Sequence, residues 1–250
     1  MLALLTVALT ACGGDTAVPA PGPQVGQRLD APLPPAITDA VLVSSSGQRF
    51  TLASLRGKIV VVSDAMTLCQ ETCPLDTANV VAAARAALKA GLGRRIVFLS
   101  ITVDPERDTP AQLAAYRRLF APAPPDWITA TGAPSTLAAF WKAFGVYFHR
   151  VPNHPPLPRN WRTGQPLTYD VVHSDEVFFL DEHGRERFLL EGAPHVPSGS
   201  AIPAELYKFM SPTGHRHVTH PSKLAWTLPQ ALGVLSWLTN HRIPGSTTGG

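Results

Sequence analysis

The chain has 250 residues, 45% of them hydrophobic, and 21 Lys and Arg against 18 Asp and Glu give a formal net charge of +3. That length and apolar content suffice for a real core, and the reading taken is one large domain. The basic pairs Arg94-Arg95 and Arg117-Arg118 are too short and scattered to make a stripe, which excludes nucleic acid as the expected partner.

Residues 1–11 are apolar over about ten positions, too few to span a bilayer as a helix, and read as an export signal. The closing Leu9-Thr10-Ala11-Cys12 resembles a bacterial lipobox, although no Lys or Arg precedes the apolar run. Cutting before Cys12 and acylating its thiol would make Cys12 a membrane anchor. The plainer alternative is a secretory signal that happens to contain a cysteine. On the lipobox reading the protein is anchored to a bacterial cell membrane on its extracytoplasmic, periplasmic face. Residues 12–35, rich in Pro, Gly and Ala, read as a flexible tether, 36–242 as the folded domain and 243–250 as a disordered tail.

Residues 40–43 and 49–52 flank a Ser- and Gly-containing spacer and predict a β-hairpin. The β-branched run Ile59-Val60-Val61-Val62 predicts a buried strand of a parallel sheet. An alanine-rich stretch from Asp76 to about Leu92 has helical spacing, with Pro74 suited to a first turn. Residues 95–103 form a second apolar strand, completing a βαβ unit. Thr109-Pro110 opens a helix through Phe120, residues 127–130 make a short strand, and Ser135 is placed as the cap of a helix ended by Gly145. Residues 150–167 read as a long loop, as do residues from Gly192 to about Ser222. Between them, 175–180 and 187–190 flank Asp181-Glu182-His183-Gly184 as a hairpin, and a last amphipathic helix starts at Thr227-Leu228-Pro229. The pattern is α/β.

Cys69-Gln70-Glu71-Thr72-Cys73-Pro74 sits at the first strand-to-helix junction. Free backbone N–H groups and the helix dipole favour negative charge there, so at least one thiol should ionise more readily than a free cysteine. Such a pair suits metal binding and disulfide exchange alike. Outside the cytoplasm thiols tend to oxidise, so metal binding would require active reduction. A merely stabilising disulfide is the bland alternative, disfavoured because so short a loop constrains the unfolded chain little.

Three motifs in order, Cys69-x-x-x-Cys73-Pro74, Val103-Asp104-Pro105-Glu106-Arg107-Asp108-Thr109-Pro110 and His173-Ser174 before a hairpin, resemble the SCO/SenC copper proteins of the thioredoxin superfamily. The resemblance covers roughly residues 36–190. It implies an α/β thioredoxin-like fold, a central mixed sheet flanked by helices, with an added N-terminal β-hairpin and long loops. It also implies copper, as Cu(I) or Cu(II), held by Cys69, Cys73 and His173. The role it implies is a metallochaperone for the dinuclear copper site of cytochrome c oxidase subunit II. Ligand chemistry agrees, since two thiolates select soft Cu(I) while imidazole also accepts Cu(II). Zinc would usually call for a fourth protein ligand, and none is obvious. The alternative is a thiol-disulfide reductase that keeps the client's copper-binding cysteines reduced. Cys69 would then attack, Cys73 resolve, and a thiol reductant protein would reopen the redox-active Cys69–Cys73 disulfide. A thiol peroxidase would need a neighbouring Thr and Arg, and Thr67 and Arg107 do not form that pattern. A copper or redox sensor would use the same ligands.

Asp170 and Asp175 are candidates to fix the His173 ring, or else solvated turn residues. Asp104 is read as pairing with Arg107 within its loop. Asp64 stands where the family usually has an apolar or aromatic residue. The favoured reading is a strand frayed by Ser63 with Asp64 in water; the other is a buried carboxylate with a raised pKa that takes a proton from a cysteine. His195, His215, His217 and His220 read as incidental histidines of a solvated loop, with convergence of His215, His217 and His220 on a metal as the alternative.

Overall fold

The structure, a computed structural model, describes residues 17–197, 201–221 and 225–247. The expected signal and Cys12 lie outside the described residues. In chain order the sheet strands are β1 (Gln27–Pro32), β2 (Leu42–Ser44), β3 (Arg49–Phe50), β4 (Ile59–Ala65), β5 (Ile96–Thr102), β6 (Trp127–Thr131), β7 (Phe148–Pro152), β8 (Tyr169–His173), β9 (Glu176–Leu180) and β10 (Arg185–Glu191). The helices are α1 (Pro35–Thr38), α2 (Cys73–Lys89), α3 (Pro110–Leu119), α4 (Pro134–Phe144), α5 (Ala204–Phe209), α6 (Pro212–Thr219) and α7 (Leu228–Thr239). None of the described helices is long and apolar enough to cross a membrane.

Eight strands form one mixed sheet in the order β1-β10-β9-β4-β5-β6-β2-β3, and β7 and β8 form a separate two-stranded arm. The β4, β5 and β6 strands are parallel, and β9 joins β4 antiparallel. All seven residues of β4 and all seven of β5 are buried, because both faces of the central sheet are covered. Alternation along the strands divides the core. Val61, Phe98, Phe179 and Phe188 pack with residues of α2 and α7, while Val60, Val62 and Leu99 pack with α4, Val171 of the arm and both cysteines. The α/β architecture, the β2–β3 hairpin and the Gly184-turned β9–β10 hairpin follow the sequence pattern.

Several expectations need correction. Residues 27–32, assigned to the tether by composition, form β1, which pairs with β10 at the sheet edge. The alanine-rich helix begins at Cys73 with Pro74 at its second position, in the first turn as expected. Ser135 lies inside α4, whose N-cap is Ala133 with no side-chain cap; the preceding Gly132 and Pro134 already turn the chain into the helix. The 150–167 loop begins inside β7 (Phe148–Pro152), where exposed His149, Arg150 and Pro152 break the apolar pattern. The 192–222 loop contains α5 and α6. The tail expected from residue 243 packs at least to Thr247: Ile243 is buried and the Thr247 amide donates to the Pro229 carbonyl.

Candidate metal centre

The C-terminal end of β4 delivers the chain into residues 66–72, and α2 begins at Cys73. Loops at this edge of a parallel sheet are where α/β proteins build their sites. The segment is tied from beneath by Asp108, whose carboxylate accepts from the Thr67 amide, the Thr67 hydroxyl and the Thr102 hydroxyl. Beside it Arg107 pairs with Asp104, as expected, and donates to the Tyr169 carbonyl at the start of β8. The Arg107 guanidinium also lies 3.8 Å from the Tyr169 ring centroid. This loop therefore holds the strand that carries His173 against the cysteine segment.

One ligand atom each from Cys69, Cys73 and His173 lie within 4.8 Å of one another, and Cys73 Sγ is 3.2 Å from His173 Nε2. All three expected site residues thus converge. Both cysteines are free and buried. The second cluster among the described residues, Asp64, His173 and Asp175, shares the same histidine.

His173 Nδ1 is 2.9 Å from the Ser174 carbonyl oxygen. A carbonyl only accepts, so Nδ1 carries a hydrogen and the neutral ring presents a lone pair at Nε2 toward the thiols. Asp64 Oδ2 lies 2.7 Å from the same nitrogen, and Asp64 Oδ1 accepts from the Glu176 amide. Asp64 is therefore the carboxylate that holds the ring. The favoured expectation of a frayed, wet strand end is overturned: β4 continues to Ala65 and Asp64 is only 5% exposed. Nor does a proton-accepting role toward a thiol fit, because its partners are His173 and a backbone amide. Asp175 Oδ1 stands farther off, 3.8 Å from Nδ1, and accepts from the Thr72 hydroxyl. Asp170 instead accepts from the Val171 amide.

The two thiols are unequal. The hydrogen bond from Cys73, aided by His173, holds Cys69 well below the usual thiol range against the opposing effect of burial. Burial and the charge on Cys69 push Cys73 well above it. The Glu71 amide adds a hydrogen bond of 3.4 Å to Cys69 Sγ. Burial disfavours charge on His173, but Asp64 and Cys69 outweigh it and raise its pKa well above the ordinary value. Of the two thiols Cys69 is therefore the one that ionises more readily, and Asp64 stands behind the His173 ring.

His215, His217 and His220 lie on or just beyond α6 and form no metal-binding group among the described residues. His195 joins Thr227 in an isolated β-bridge, with its amide donating to the Trp226 carbonyl.

Residues 35–198 match the family model described as SCO1/SenC. "Protein SCO1 homolog 1, mitochondrial" of Arabidopsis thaliana is 34% identical over 110 residues, covering 44% of this chain and 32% of that protein. "Protein SenC" of Rhodobacter capsulatus is 32% identical over 145 residues, covering 54% of this chain and 58% of that protein. The chain thus spans a third to somewhat over half of these relatives' lengths. Among solved structures, a SCO1/SenC family lipoprotein from Bacillus anthracis superposes with a TM-score of 0.53 at 24% identity, covering 69% of this chain and 90% of that one. At that identity the likeness is one of fold.

Proposed function

Since the chain belongs to the SCO1/SenC family, we propose that it is a copper-binding metallochaperone that delivers copper for the dinuclear site of cytochrome c oxidase subunit II. The observation that carries this reading is the convergence of Cys69, Cys73 and His173 within 4.8 Å. Two sulfurs and an imidazole nitrogen suit Cu(I) and still accept Cu(II). The donor set fits copper as cargo, with Cys69 and Cys73 as thiolates and His173 bound through Nε2. Copper needs both sulfurs as thiolates and the Nε2 lone pair free, so any proton still held on those atoms is released on uptake. A lipid anchor at Cys12 on the periplasmic face of the cell membrane would keep the site near a membrane-bound client and raise its effective concentration there.

A second reading rests on the unequal thiols. The Cys69 thiolate attacks a client disulfide and releases one client thiolate; Cys73 then attacks the mixed disulfide and releases the other. The client disulfide is reduced to two thiols while Cys69 and Cys73 become a disulfide, which a thiol reductant protein must reopen.

The deciding experiment titrates the full reduced chain, without oxygen, against a Cu(I) chelator. It includes His173→Ala and a Cys69→Ser/Cys73→Ser variant. The chaperone reading expects one copper per chain, weakened by roughly tenfold or more without His173 and lost without the cysteines. Failure to compete for copper, together with reduction of an oxidised client peptide that ignores His173, makes the protein a reductase.

A further inference from the structure

The segment after residue 198 lies outside the matched family region, yet it reaches the cysteine loop. The Ser211 amide donates to the Gln70 carbonyl at 2.9 Å. One turn into α6, a Cβ on Gly214 would stand 2.3 Å from that oxygen and 3.1 Å from Glu71 Cα. No side chain fits there. The carbonyl of Gln70 and the amide of Glu71 belong to one planar peptide unit. The oxygen end of that plane is gripped by α6, and its N–H end points at Cys69 Sγ, 3.4 Å away.

We propose that α6 is a clamp on the metal loop: Ser211 and Gly214 fix the Gln70–Glu71 peptide plane and thereby keep its N–H aimed at Cys69 Sγ. The clamp is anchored independently of the loop. Leu206, Met210 and Val218 of this extension are buried in the core shared with α2 and α7, and the Tyr207 ring meets His215 edge-on at 4.5 Å. Gly214 and Ser211 are positioning residues, acting on Cys69 through the backbone. The proposal deepens the copper reading by adding a part of the site that the family region does not contain.

Three variants test it. Ser211→Pro removes the amide donor and places a ring carbon where its hydrogen stood, at a backbone φ of −70° that proline accepts. Gly214→Ala forces the loop away. Ser211→Ala loses only the hydroxyl that accepts from the Gly214 amide and keeps the grip on Gln70. Two quantities are read on the full chain: Cu(I) affinity by chelator competition, and the equilibrium constant for closing the Cys69–Cys73 disulfide against glutathione.

The expected result is a loss of affinity on the order of tenfold in Ser211→Pro and Gly214→Ala, with Ser211→Ala within about twofold of the unmodified chain. The disulfide equilibrium should shift in the same two variants. Folded variants with both quantities unchanged overturn the clamp. If the unmodified chain binds no copper, the copper reading fails, and the glutathione equilibrium alone decides the clamp. Amide exchange in the unmodified chain guards against variants that do not fold. Slow exchange at Ser211 supports the clamp; exchange at the unfolded-chain rate overturns it.

Discussion

The Asp64 carboxylate faces His173 on one oxygen and the Glu176 amide on the other, so one side chain joins the end of β4 to the start of β9 and sets the ring that faces the thiols. Asp64→Asn keeps an acceptor for Glu176 and removes the charge beside Nδ1. Cu(I) affinity should fall by about tenfold, the usual scale for a group that orients a metal ligand; chelator competition with unchanged affinity would refute this. The neighbouring Asp108 gives a pH prediction. Burial raises its pKa to about 6, against hydrogen bonds from Thr102 and Thr67 that favour the carboxylate. Its folded pKa exceeds the unfolded value, so the folded state holds the proton more tightly. This group's contribution is most favourable below about pH 4, and roughly 3 kcal/mol is lost as pH rises through about 6. In urea melts, the stability of the unmodified chain should fall by about 2 kcal/mol more than that of Asp108→Asn between pH 4.5 and 7; parallel behaviour would reject it. The candidate ligands Cys69, Cys73 and His173 were legible because they lie in two of three motifs that follow one another in order. Asp64 was not, since a carboxylate after an apolar run reads as a strand end unless its distant partner is known.

Among the elements, those with strong local signals were read correctly. Thr109 caps α3 by accepting from the Gln112 amide, and Gly145 ends α4 in the left-handed region at φ 79°. A Cβ at Gly145 would meet nothing within 4 Å, so Gly145→Ala tests backbone conformation alone. It should cost about 1 kcal/mol in chemical denaturation without altering copper binding. A cost near zero would show that the helix end relaxes into another conformation. The arm of β7 and β8 was half hidden for a physical reason. It packs one side on the core through Val171 and leaves Tyr147 and Val172 exposed, so it lacks the clean alternation of a half-buried strand. Its placement depends on Arg107 and Tyr169, contacts that span 62 residues of sequence. The start of α2 was legible from Pro74, which stands in its first turn as expected, although Thr72 offers no side-chain cap.

At the scale of the whole molecule, the extension beyond residue 198 completes the sheet's second layer. Ile202, Leu206, Trp226, Leu232, Val234 and Leu235 belong to the same core as Phe98, Phe179 and Phe188 of the central sheet. On the other flank Arg28 of β1 and Arg187 of β10 each lie 5.4 Å from the Trp237 ring of α7, so the first and last described elements are joined across the sheet. Composition could not reveal this, because Pro- and Gly-rich segments at both ends look like linkers until the strand and helix that cover them are placed. If the extension were an appendage, truncating one of its side chains would leave the melting of the sheet unchanged. Because Leu235 is fully buried against the central strands, Leu235→Ala should instead cost about 2–5 kcal/mol, as any large-to-small core substitution does. Tryptophan fluorescence and far-UV circular dichroism should then shift together in a single transition. Separate transitions, with only the later one at the unmodified midpoint, would mean that α7 unfolds on its own and that the family region stands without it.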